Sequence, residues 1–317
     1  MEAQQEGTRM RVAVTGATGV IGRRVIPLLV AGGHDVTAII RPGSKHHTMP
    51  PAGSHEVCAS LFDRSQLAAA FAGQDAVINL ATHIPTTMTA MMFRSGWREN
   101  DRIRSEGARN VSEAASEAGV RIVIQESFGL AYPSMGDAWV DERVPLAPVA
   151  NCATVPDAEA AVAGFTHRGG RGVALRLAGF YGPDASQTLL MAKSVSWHWV
   201  PLPGKPSSYL SSLSHDDAAT AVVAALSAPA GVYNVADNEP MRRKAFFDAI
   251  AATLHVGPPH FLPEWTAALM GIAGPVLKRS IRLSNDRFRQ ATGWAPSAPS
   301  AADGLPSAIR EAYGTGL

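Results

Sequence analysis

The chain has 317 residues, 46% of them apolar and 17% charged, with a formal net charge of +1. That length calls for one large domain or two lobes, the apolar share excludes a disordered chain, and near-neutrality leaves no electrostatic footprint for nucleic acid. The two cysteines, Cys58 and Cys152, belong to no CxxC or Cys/His cluster, which argues against a disulfide framework or a metal site and fits a reducing, cytoplasmic compartment. The opening MEAQQEGTRMR is polar and reads as a loose tail over residues 1–9 rather than a signal peptide. No apolar run approaches the roughly 20 residues that span a bilayer, so no membrane partner is expected.

Taken in chain order, Arg11–Thr15 predicts a strand, Val20–Val30 a helix, and Asp35–Ile40 and Asp75–Leu80 further strands. A long helix is expected over about Asp101–Ala118, with Ile103, Gly107, Ala108, Val111, Ala114, Ala115 and Ala118 on one face. Strands follow at Arg121–Gln125 and Gly172–Leu177. Near-continuous apolar strands joined by helices imply an α/β fold, a Rossmann-type doubly wound parallel sheet. Beyond Gly182 proline and glycine become frequent. A helix at His215–Leu226 and a strand at Gly231–Ala236 return to the sheet, while Arg243–Leu254, Pro263–Ile272 and Asn285–Thr292 read as helices. The expected division is a dinucleotide-binding domain over 10–182 plus about 213–240, and a smaller, mostly helical substrate lobe over about 183–212 and 241–317.

The strongest local signal is Thr15-Gly16-Ala17-Thr18-Gly19-Val20-Ile21-Gly22, between a strand and a helix. Gly16 allows the sharp turn, Gly19 the close approach of a pyrophosphate, and Gly22 the packing of helix on sheet. The helix N-terminus offers unpaired N–H groups to phosphate. NAD-selective folds carry an acid about 20 residues further on. Here that strand ends in Arg41-Pro42-Gly43-Ser44-Lys45, so Arg41, helped by Ser44 or Lys45, suits a 2′-phosphate, and NADP(H) is favoured over NAD(H).

The glycine spacing, Asn79-Leu80-Ala81-Thr82, Glu106–Val111, Leu175-Arg176 with Phe180-Tyr181-Gly182-Pro183, His215-Asp216-Asp217, Gly231–Val235 and Thr292-Gly293-Trp294-Ala295-Pro296 occur in one order. Together they resemble the extended short-chain dehydrogenase/reductase family of epimerases and dehydratases, over nearly the whole chain. The resemblance implies that Leu61, Leu80, Ala81, Thr82 and Gln125 adjoin the cofactor and that the chain forms a homodimer through the family's fourth and fifth helices; Asp63 stands where it caps a helix starting near Arg64 rather than contacting adenine.

It also implies a Tyr-x-x-x-Lys pair that passes a proton to the substrate oxygen. None of the five tyrosines has a lysine four residues later; the corresponding positions are Asn151 and Val155, and Pro156 moves the expected helix start to near Asp157. Three candidates remain for the chemistry. Ser127 suits a substrate-oxygen ligand, Glu126 an acid or base if buried, and Tyr132 a substitute phenol if its loop folds inward. His83, Met88, Phe180, Tyr181 and Trp197 are candidates to line a cleft for a small-molecule substrate, apolar or aromatic rather than a nucleotide sugar. The expected function is an NADP(H)-dependent oxidoreductase acting on a carbonyl or hydroxyl with a non-standard proton donor. Two alternatives stay open: a redox-neutral isomerase, dehydratase or cyclase in the same cleft, and a non-catalytic NADP(H)-binding sensor.

Overall fold

Seven short β-branched and aliphatic runs form one parallel sheet. A computed structural model describes residues 9–43 and 53–313, so Ser44 and Lys45 lie outside the described residues. The strands are β1 (Arg11–Thr15), β2 (Asp35–Ile40), β3 (Ser54–Cys58), β4 (Ala76–Asn79), β5 (Ile122–Phe128), β6 (Arg171–Leu177) and β7 (Gly231–Val235). Their order across the sheet is β7-β6-β5-β4-β1-β2-β3. The order reverses between β1 and β4, which places the ligand crevice at the carboxyl ends of those strands.

The helices are α1 (Gly22–Ala31), α2 (Arg64–Phe71), α3 (Met88–Met92), α4 (Arg94–Arg102), α5 (Ala108–Glu117), α6 (Val155–His167), α7 (Ser186–Ser196), α8 (His215–Ala224), α9 (Arg243–Thr253), α10 (Gly274–Leu277), α11 (Asp286–Thr292) and α12 (Ala301–Tyr313). Helices α1 and α8 cover one face of the sheet through Val25, Ile26, Leu29, Ala218 and Val222. Helices α2, α5 and α6 cover the other through Leu67, Phe71, Val111, Val162 and Phe165. A separate core gathers α7, α9 and α12 around Val195, Phe247, Ile250, Leu305 and Ile309.

Three differences from the sequence reading matter for the site. Strand β5 does not stop at Gln125 but runs to Phe128, because β6 pairs with it as far as Phe128↔Leu177. Strand β4 pairs with β5 only to Asn79↔Gln125, so Glu126, Ser127 and Phe128 stand on a ledge beyond β4. The single helix expected over residues 101–118 is instead α4, a π-helical turn at Ile103–Gly107, and α5. Asn151 lies in a separate 3₁₀ turn, Ala150–Cys152, and α6 begins at Val155, two residues ahead of Asp157, with Pro156 in its first turn. Proline has no N–H to lose at that position, so it starts the helix.

Candidate active site

The dinucleotide turn is held by its own backbone. Gly16 has φ +69°, and a Cβ there would stand 2.6 Å from the Leu80 carbonyl carbon. A Cβ on Gly22 would lie 2.3 Å from the Gly16 oxygen, and Gly19 N–H donates to that same oxygen at 2.9 Å. No side chain caps the start of α1, and its Arg23 and Arg24 N–H groups bond the Gly19 and Ile21 carbonyls, each at 3.0 Å. The cradle that a Cβ would fill is therefore present, and these residues fit a pyrophosphate. Thr15, Asn79 and Gln125 align across β1, β4 and β5. Thr15 Oγ1 donates to Asn79 Oδ1 at 2.5 Å, and Asn79 Nδ2 donates to Gln125 Oε1 at 2.8 Å. This buried polar row ties the three strand ends together under the crevice.

The flanking candidates fall around it. Leu80 and Ala81 are buried, whereas Thr82 and His83 are exposed, and Asn100 Oδ1 accepts the His83 N–H at 3.0 Å. Leu61 faces Gly107, and its carbonyl accepts Asn110 Nδ2 at 2.9 Å. Arg41 is exposed just past β2. Asp63 caps α2 by accepting the Gln66 N–H at 3.0 Å, as its position implied.

Ser127 and Tyr132 come together in a network that looks away from Glu126. Ser127 Oγ donates to Glu159 Oε1 at 2.7 Å, and Arg176 donates to both oxygens of Glu159, each at 2.7 Å. Arg176 Nη1 also donates to the Tyr132 hydroxyl, which itself donates to Asn234 Oδ1 at 2.9 Å. Tyr132 does fold inward, but it is fully buried in the sheet core. Burial pushes its phenol up, against the pull of Arg176 and Asn234. Both hydroxyl protons are thus committed to protein acceptors. Where the family pattern has its Tyr–Lys pair, Asn151 is buried with Oδ1 unpartnered, and Val155 is fully buried.

Glu126 is different. On the ledge of β5 it receives Arg104 Nη2 at 2.6 Å. Its Oε2 has no partner, and neither has Arg104 Nε. Burial pushes the carboxyl up, and Arg104 opposes that only in part. The sequence reading did not single out Arg104. The available signal was an arginine beside the apolar or small positions Ile103, Gly107 and Ala108 of one helix face.

Two cleft candidates prove to be something else. Tyr181, 1% exposed, belongs to the core of α7, α9 and α12; a Cβ on Gly304 would lie 2.3 Å from its hydroxyl. Trp197 is 65% exposed at the end of α7, with Lys193 Nζ 5.2 Å from its ring centre. Phe180 is half-buried, edge-on to His215 at 5.7 Å. Met88 opens α3, but its side chain lies outside the described residues. Among the described residues, no group of three or more His, Cys, Asp or Glu could hold a metal, and no helix is long and apolar enough to cross a membrane. An open cavity of about 730 Å³, lined by Arg121, Arg168 and Arg171, lies at the amino ends of β5 and β6, opposite the crevice.

Comparison with known proteins agrees with this geometry. A family model described as NAD(P)H-binding matches residues 16–163. A 3-diazoavenalumate denitrifying reductase from a Streptomyces species is 33% identical over 311 residues, covering 93% of this chain and 99% of that one. A 4-hydroxy-2-methyl-3-oxo-4-farnesyl-3,4-dihydroquinoline-1-oxide ketoreductase from Stigmatella aurantiaca is 26% identical over 318 residues, covering 90% and 92%. The UDP-glucose 4-epimerase of Thermus thermophilus, solved with NAD, shares the fold with a TM-score of 0.77 at 22% identity, over 96% and 99% of the two chains. The chain belongs to the extended short-chain dehydrogenase/reductase family, of the NAD-dependent epimerase/dehydratase type, and is an NAD(P)-binding oxidoreductase of that family.

Proposed function

We propose that the chain is an NADP(H)-dependent reductase of a small conjugated aromatic molecule whose electrophilic group needs no proton from a tyrosine, an arenediazonium group above all. One observation carries this reading. An intact dinucleotide turn stands beside a reaction end where Asn151 and Val155 replace the proton-donating pair, while Ser127 and Tyr132 are bonded elsewhere.

When bound, the reduced cofactor supplies hydride. Gly16–Gly22 would hold its pyrophosphate, Leu61 would border its adenine end, and Arg41 would take a 2′-phosphate. A carbonyl that gains hydride builds charge on oxygen, and a positioned acid must quench it. An arenediazonium that gains hydride loses its positive charge instead. It becomes an aryl diazene, expels N2, and keeps one hydrogen on the ring carbon. The sum, Ar–N2+ plus hydride giving Ar–H plus N2, draws no net proton from the protein. The Streptomyces relative supports this, being named as a reductase that denitrifies a diazo compound.

The test supplies NADPH with a diazonium salt of a cinnamic acid and, separately, a panel of aromatic aldehydes and ketones. The expected result is N2 release equal to NADPH consumed. Consumption with carbonyls alone would overturn the diazonium reading in favour of a ketoreductase like the Stigmatella relative. Turnover without any NADPH consumption would favour redox-neutral chemistry. The cofactor choice is read separately. Arg41→Ala should raise KM for NADPH about tenfold, an exposed charge-assisted contact of about 1.4 kcal/mol, and leave KM for NADH nearly unchanged.

A further inference from the structure

Inside the crevice, the chain has lost one cation and gained another. Val155 carries no charge, but the π-helical turn at Ile103–Gly107 delivers Arg104, 3% exposed, to the ledge of β5. There it meets Glu126, 9% exposed, one residue beyond the row of Thr15, Asn79 and Gln125. Asp101, three residues before Arg104, accepts the Thr154 hydroxyl at 3.0 Å, and the π-helical turn packs on α6 next to Asn151 and Val155. The pair thus sits beside the place that the tyrosine would occupy. Its contact is single: Nη2 to Oε1 at 2.6 Å. Oε2 and Arg104 Nε stay buried and unpartnered. A buried polar atom without a partner costs roughly 1–3 kcal/mol, so both are groups in want of a ligand.

We propose that the Arg104–Glu126 pair is the polar centre of the reaction site, with Glu126 touching the substrate through Oε2 and Arg104 as the positioning residue that holds the carboxyl group by its other oxygen. This rests on the reductase reading above. An anionic oxygen beside the hydride acceptor favours a cationic electrophile and disfavours the alkoxide that carbonyl reduction would generate there.

Several charged and titratable groups lie on the elements around Glu126; those on α4 include Arg94, Arg98, Glu99 and Arg102, and Glu106 of the π-helical turn pairs with Arg102. Arg104 comes from the π-helical turn, Asp101 from α4, Cys152 from the 3₁₀ turn, Arg279 from the segment after α10, Arg176 from β6 and Glu159 from α6. Asp101 is bonded to Thr154, and Arg279 to the carbonyls of Leu130, Tyr132 and Ala147. Arg176 and Glu159 satisfy one another. Of these, only Arg104 acts on Glu126.

The test follows the protonated-carboxyl infrared band of Glu126, assigned by its loss in Glu126→Gln. In Arg104→Met the titration midpoint of that band should rise by about 1 to 3 pH units, and the pH profile of kcat should move with it. Adding NADP+ with cinnamate should shift the band in the unmodified protein, as Oε2 gains a neighbour. A band that ignores both the substitution and the ligands overturns the proposal, even if no substrate is turned over. Should the single variants fail to fold, Arg104→Met with Glu126→Leu replaces the pair by apolar groups, which buried ion pairs commonly tolerate. A folded double variant with kcat down by about a hundredfold or more and unchanged NADPH affinity supports the proposal. Unaltered kcat in that variant, or in Glu126→Gln, makes the pair structural and overturns it. An unmodified protein that consumes no NADPH with any acceptor sinks the reductase reading instead, and the ligand-induced band shift still decides the role of Glu126.

Discussion

Asp237 shows how far a single buried acid can depart from its solution behaviour. It follows β7, is 1% exposed, accepts the Ser212 hydroxyl at 2.8 Å on Oδ2, and leaves Oδ1 unpartnered. Burial pushes its carboxyl up to about 8, and the bond from Ser212 opposes only part of that. A folded-state value above the unfolded one, near 4, means that its stabilising effect is complete below about pH 4 and is lost as pH rises toward 8. Thermal melts should therefore find Asp237→Asn close to the unmodified protein near pH 4 and more stable than it around pH 9. Equal melting temperatures across that range would show that the acid is ionised in the folded state. At this scale the sequence revealed what was absent more readily than what replaced it. The missing Tyr–Lys pair is legible because it is a pattern of neighbours. The Arg104–Glu126 pair joins positions 22 apart, and only the turn before α5 points the arginine at β5. Similarly, Ser127 and Tyr132 look catalytic by position, yet Glu159 and Asn234, both distant in sequence, take their protons.

Among the elements, strands β1, β2, β4 and β6 were readable from their aliphatic runs, and α1 from its glycine-rich entrance. Helix α12 was not, because Gly304 and Pro306 lie within it and both disfavour helix on their own; its burial against α7 and α9 outweighs them. The π-helical turn likewise has no composition that announces it. One further element carries a strained joint. Residues Glu264–Ala273 form a 3₁₀ run bent at Gly271, with φ +55° and ψ −137°, and a Cβ there would stand 2.2 Å from the Met92 oxygen of α3. Such a conformation costs a non-glycine residue about 1–3 kcal/mol. Gly271→Ala should lower the melting temperature by at least about 2 °C and loosen α3 from its partner. If this run borders the substrate, KM will rise several-fold with kcat little changed; an unchanged KM would place it outside the cleft.

For the molecule as a whole, the exposed apolar side chains bear on assembly. The family resemblance implies pairing through the family's fourth and fifth helices, which are α5 and α6 here. Their outer faces carry Arg109, Glu117, Asp157 and His167, and among the described residues no large apolar side chain on either helix is exposed. Stable homodimers usually bury an apolar centre. We therefore expect sedimentation at micromolar concentration to give a monomer. A dimer that survives dilution would direct attention to the face of Leu189, Leu190, Trp197 and Trp199, all exposed.

The turn between β1 and α1 has one more consequence. Gly16, Gly19 and Gly22 lock on each other and on Leu80. The receptor is thus preorganised, and docking does not have to freeze a loose loop. Calorimetry of NADP+ binding to Gly19→Ala, whose Cβ presses on the turn only at the Gly16 oxygen, at 3.1 Å, and crowds the approach, should lose affinity chiefly through enthalpy. Gly22→Ala, whose Cβ meets the turn itself, should add an ordering entropy that the native turn never incurs.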